Sequence, residues 1–81
     1  MIFYKIQKFK SLKKTILLPV IESNINEIFV TLEDAKDEFV KIKKGCKQEK
    51  LLDSSKSFQI EIWRYDDENS NYEEMIEREF I

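Results

Sequence analysis

Leu32, Ala35, Phe39, Ile42 and Cys46 recur at steps of three and four, the spacing that gathers side chains on one face of an α-helix. Lys36, Asp37, Lys41 and Lys44 fall off that stripe. Thr31 stands at the N-terminal boundary, where a hydroxyl accepts a hydrogen bond from a free first-turn N–H, and Asp34 three residues on completes an approximate capping box. Glu33 and Asp34 sit at the positive end of the helix dipole, and Lys41, Lys43 and Lys44 at the negative end. Gly45, the single glycine of the chain, stands where a left-handed terminating residue is wanted. The pattern predicts a helix over residues 31–44.

On either side the period shortens to two. Residues 2–9, IFYKIQKF, place Ile2, Tyr4 and Ile6 on one face of a strand, with Lys5 and Gln7 on the other. Ser11 to Lys14 reads as a turn, and Thr15 to Ile21 as a second strand rich in branched residues. The two form an antiparallel hairpin. Pro19 has no N–H for a ladder bond, which assigns that strand to an edge or a bulge. Glu22 to Asn24, with Asn26, marks a loop, and Ile28 to Val30 read as a short strand entering the helix. Beyond Gly45 the chain is polar up to Ser57, with a turn at Asp53 to Ser55, and Leu51 and Leu52 are expected to pin this stretch to the core. Phe58, Ile60 and Ile62 then alternate with Gln59, Glu61 and Trp63 as a strand with one buried face. DDENSN, residues 66–71, is a solvated acidic loop.

The tail, residues 71–81, fits two periods. Tyr72, Met75, Ile76 and Phe80 share a helical face, and Ser70 with Glu73 supplies a capping box. As a strand it would set Glu74 and Arg78 on the face of Ile76 and Phe80, so the helix is favoured and a final hairpin strand is the alternative. The expected fold is α+β: a single domain (residues 1–81) with an antiparallel sheet of three or four strands and one main helix packed on one face.

At 81 residues such a domain buries roughly 60–65% of the surface its unfolded chain exposes, so its core is small. No apolar run approaches the ~20 residues of a membrane span, and the N-terminal stretch lacks the apolar core of a secretory signal. A single cysteine cannot form an internal disulfide and fits a reducing compartment. These features point to the cytoplasm of a bacterial cell. Lysine outnumbers arginine twelve to two and alanine occurs once, a bias of AT-rich genomes such as those of low-GC bacteria and their phages and plasmids.

Composition also narrows the chemistry. Without histidine no Ser-His-Asp or Cys-His arrangement exists, and the commonest transition-metal ligand is missing. Cys46 lies on the apolar stripe and reads as a small buried hydrophobe. One glycine cannot build a phosphate-cradling loop. Asp67, Asn69 and Asn71 match the first ligand positions of a calcium loop, but Tyr72 and Arg78 occupy its glycine and closing-glutamate positions. No enzyme activity, cofactor or metal is expected.

What remains is an uneven charge distribution. Residues 1–21 carry five lysines and no acid, whereas residues 51–81 carry nine acids against three basic groups. On the C-terminal side Trp63 and Tyr65, with Asp66, Asp67, Glu68, Glu73, Glu74 and Glu77, form the candidate partner-binding surface, since aromatics within a charged rim mark protein interfaces. An acidic surface steers onto a basic groove of the kind that holds nucleic-acid phosphates. The reading is a non-enzymatic protein-binding module: a small acidic inhibitor or regulator of a phage or mobile element, of anti-CRISPR or other anti-defence type, engaging a basic surface of a host nucleic-acid-handling protein. A second copy pairing through the exposed sheet face or edge is a further expected partner. The alternative is a nucleic-acid-binding protein using the N-terminal hairpin, where Lys5, Lys8, Lys10, Lys13 and Lys14 interleave with Phe3, Tyr4 and Phe9.

Overall fold

The computed structural model describes residues 1–13, 16–20, 27–68 and 72–81, apart from the side chains of residues 12, 13, 16 and 17. The element order is β1 (Ile2–Lys13), β2 (Ile16–Pro19), α1 (Leu32–Leu52), β3 (Phe58–Asp66) and β4 (Tyr72–Phe80). The strands form one antiparallel sheet in the order β2-β1-β3-β4, and α1 packs against β1 and β3 on one face of it. This is the α+β single-helix architecture that the alternating periods predict.

β1 runs further than its alternating stretch, through Lys13, and pairs with β2 from Phe9↔Pro19 to Lys13↔Ile16 with an irregularity between Ser11 and Lys13. Pro19 thus sits on an edge strand, where its missing N–H costs no interior ladder bond. Instead of a third strand in its own right, Phe29 makes one isolated bridge, exchanging both backbone hydrogen bonds with Tyr4 at 2.8 and 2.9 Å. Thr15, Lys14 and the loop expected around Glu22 to Asn24 and Asn26 lie outside the described residues, as do Asn69 to Asn71 of the acidic loop.

Even-numbered residues of β1 and β3 face the helix. Ile6, Phe58, Ile60 and Ile62 meet Ala35, Phe39, Ile42 and Cys46 in one buried cluster. Thr31 caps the helix, accepting from the Asp34 N–H at 3.2 Å. Cys46 is buried and free of any disulfide.

α1 does not stop at Gly45. It runs to Leu52, and Asp53 ends it, donating its N–H to the Glu49 carbonyl. The Asp53 carboxylate accepts from the Ser55 N–H and hydroxyl at 3.1 and 2.6 Å and so sets the expected turn. A mid-helix glycine costs about 1 kcal/mol. Here burial of Cys46 one residue later and the good helix formers Lys47 to Leu52 outweigh it. The extension carries Leu51 and Leu52 past the sheet: they are 87% and 90% exposed, so the expected pin to the core is not made.

The tail is a strand, not a helix. β3 would otherwise be left with an open edge, and β4 completes it from Asp66↔Tyr72 to Gln59↔Phe80. A bulge resolves the patterning conflict. Between Ile62↔Glu77 and Trp63↔Met75 the register shifts, leaving Ile76 unmatched. Ile76 packs against the core, and the alternation inverts across it. Glu74 then faces the helix side, where it lies 3.9 Å from Arg64, while Arg78 points to the opposite face and reaches Glu61.

Candidate functional site

The face of the sheet away from α1 has no covering element among the described residues. Its side chains stand in rows set by the ladder: Phe9, Gln59 and Phe80; Gln7, Glu61 and Arg78; Lys5, Trp63 and Met75; Phe3, Tyr65 and Glu73. The rings of Phe3 and Tyr65 stack, with centroids 5.3 Å apart and planes 9° from parallel. In the centre Glu61 is 4% exposed. Its carboxylate accepts from Gln59 Nε2 at 3.0 Å, Trp63 Nε1 at 3.2 Å and Arg78 Nε at 2.7 Å. Burial pushes the Glu61 carboxyl up, and the hydrogen bonds from Arg78, Trp63 and Gln59 with the Arg78 charge outweigh it, so the group lies below its ordinary value.

At the end of this face, where β3 passes into the acidic turn, lies a pocket of about 310 Å³ lined by Phe3, Tyr65, Asp66, Asp67, Tyr72 and Glu73. Three rings and three carboxylates meet there. Asp67 also accepts from the Met1 amine at 2.6 Å, and Glu68 lies 2.8 Å from the same nitrogen. Both hydrogen bonds raise the pKa of that amine. The Tyr65 phenol is pushed up by burial first and by the Glu73 charge second, with a hydrogen bond to Gln7 acting in the opposite sense. Among the described residues no ion pair engages Glu73, whereas Glu74 and Glu79 lie beside Arg64 and Lys43.

The candidate partner-binding residues therefore divide. Trp63, Tyr65 and Glu73 share the open face; Asp66 and Glu74 point to the helix side; Asp67 and Glu68 sit in the turn; Glu77 lies at the bulge. The pocket reunites Tyr65, Asp66, Asp67 and Glu73, and adds Phe3 and Tyr72. Phe3 was legible as an aromatic of the basic N-terminal stretch and not as a neighbour of the acidic end, because its partnership with Tyr65 is made across 62 positions of chain. No three His, Cys, Asp or Glu side chains gather as around a metal among the described residues.

The lysines of the alternative reading also separate. Lys5 faces outward opposite Trp63. Lys8 turns to the helix side and is 7% exposed, with Nζ 5.4 Å from the centre of the Phe58 ring. Lys10 follows it onto that side, opposite Phe58. The Lys13 side chain and Lys14 lie outside what is described.

No helix among the described residues is long and apolar enough to cross a membrane. The chain matches no family model, no curated protein and no solved structure.

Proposed function

We propose that the chain is a non-enzymatic protein-binding module that engages a basic surface of its partner, with the aromatic and acidic pocket at the end of β3 as the contact point. The observation that carries this reading is the lining of that pocket, Phe3, Tyr65 and Tyr72 beside Asp66, Asp67 and Glu73. A lysine ammonium or arginine guanidinium is attracted to the face of an aromatic ring, and the neighbouring carboxylates supply the opposite charge. Acids along β4 extend the negative field and favour encounter with a basic groove. A groove of that kind belongs to proteins that handle nucleic acid, so the role fits a small cytoplasmic inhibitor or regulator of phage or mobile-element origin, the anti-CRISPR or other anti-defence type included.

The direct test is a titration of arginine-rich and lysine-rich peptides against the protein, followed by tryptophan and tyrosine emission. Binding should weaken with salt and fall about tenfold in the Asp66→Asn/Glu73→Gln double variant. Equal binding by that variant, or none at low salt, would remove the reading. Labelled single-stranded DNA serves the alternative in the same assay. With Lys8 buried and Lys10 on the helix side, Lys5 is the described lysine of the N-terminal set that faces outward, so no shift of the DNA is expected.

A further inference from the structure

We propose that two copies of this chain associate through the open faces of their sheets, an interface that takes in Phe3, Tyr65 and Glu73 of the pocket and extends from them over Trp63, Met75 and Phe80. The distribution of aromatic side chains motivates it. Phe39 and Phe58 are the aromatic members of the buried core, whereas Phe3, Phe9, Trp63, Tyr65 and Phe80 stand on the uncovered face together with Met75. Phe80 is 70% exposed. Met75 is exposed as well, and Phe3, Phe9, Trp63 and Tyr65 are half-buried among their neighbours on the sheet; contiguous apolar side chains on one face mark an interaction surface.

The face is also chemically ready to be covered. Its central carboxylate, Glu61, already has Arg78, Gln59 and Trp63 as partners, so covering it leaves no unpaired charge. Lys5 and Arg78 balance Glu61 and Glu73, two charges against two, which disfavours a strongly charged partner such as a nucleic-acid strand. β3 and β4 are nine residues long each. β2 is four residues long and borders only the Phe9 end of β1, so at about 3.4 Å per residue and about 4.8 Å per strand the three long strands present a rectangle of roughly 30 by 14 Å. That is on the order of 400 Å² per partner before side-chain relief is counted, the size of a weak, concentration-dependent interface.

A two-fold axis running along β3 makes this surface complementary to itself. β1 of one copy then lies over β4 of the other. Phe9 meets the partner's Phe80, since the two share a row. Gln7 meets the partner's Arg78, and Trp63 the partner's Trp63. Lys5 lies over the partner's Met75, one pairing step from the partner's Glu73 and within reach of a long side chain. Asp66 and Tyr72 lie on the helix side of the sheet end and Asp67 in the turn, whereas Phe3, Tyr65 and Glu73 lie within the paired faces, so the pairing covers one wall of the pocket.

Sedimentation equilibrium of the full chain at micromolar concentration tests this. The expected mass is twice the 9.8 kDa chain. Phe80→Glu should weaken association at least about tenfold, with an unchanged far-UV spectrum because the side chain is already exposed. Lys5→Glu should weaken it too, and Lys5→Glu with Glu73→Lys should restore it. A monomer at every concentration, or a dimer indifferent to both Phe80→Glu and the charge exchange, would overturn the proposal. Phe80 is not part of the pocket, so peptide titration of the Phe80→Glu variant reports on the pocket independently of the dimer.

Discussion

Arg78 holds one oxygen of Glu61 from two nitrogens, Nε at 2.7 Å and Nη2 at 2.6 Å, across the β3–β4 ladder. Glu61 is buried and Arg78 half open to solvent, so this pair anchors the edge strand to the sheet from the face opposite the helix. It exists because the bulge at Ile76 turns Arg78 to that face.

Removing Arg78 leaves the buried carboxylate with Gln59 and Trp63 as donors. Arg78→Met is expected to lower unfolding stability by about 2 kcal/mol. Glu61→Gln/Arg78→Met should cost less than Arg78→Met alone, because no buried charge is stranded. Urea unfolding followed by Trp63 emission at fixed protein concentration measures both.

The same pair sets an acid dependence. The Glu61 carboxyl lies below its ordinary value of 4.5 in the folded chain. The unfolded state therefore takes up the proton first as pH falls, and stability is lost on that account. Its contribution is fully present above the ordinary value and disappears as pH drops through the lower, folded one. The urea midpoint should fall below about pH 4.5, and Glu61→Gln should flatten that fall. An identical acid profile in Glu61→Gln would show that other carboxylates control it.

Gly45 lies inside α1, and a Cβ built there would meet nothing within 4 Å. Gly45→Ala should stabilise the protein by about 0.5–1 kcal/mol, a rise of about 4 °C in Tm for a domain of this size. A drop in Tm would mean that the glycine is needed for its backbone freedom, as a helix terminator would be.

Cys46 is fully buried between α1 and the sheet. A thiol reagent should label it slowly in the native protein, at a rate that climbs with urea as the helix leaves the sheet. Rapid labelling without denaturant would place α1 among locally opening elements.

Much of this architecture was legible in the chain because it depends on neighbours. The stripe from Ala35 to Cys46, the Thr31 cap and the alternation from Phe58 to Ile62 are written within a few residues, and each appears in the structure. The chemistry of Pro19 left β2 an edge or a bulge, and the strand order selects the edge. Of the candidate site, Tyr65, Asp66, Asp67 and Glu73 were legible as a charged aromatic stretch. Phe3 and Tyr72 were not, because their place in the pocket depends on which strands pair.

Three features were decided by tertiary contact. Gly45 carries a weak local vote for termination, and the burial of Cys46 against the sheet overrules it. Residues 72–80 carry a helical apolar period, but the open backbone groups of β3 offer them a ladder, and one bulge reconciles Ile76 with the core and Arg78 with Glu61. The lysines of β1 form a single basic stretch in sequence, yet the two-residue period of the strand sends Lys5 to one face and Lys8 to the other. The sequence by itself determined the helix face, the strands with clear alternation and the sign of charge at each end. Only the tertiary structure decided where the helix stopped, what the tail became and which charges meet, because those depend on hydrogen bonds and burial between segments that the chain keeps far apart.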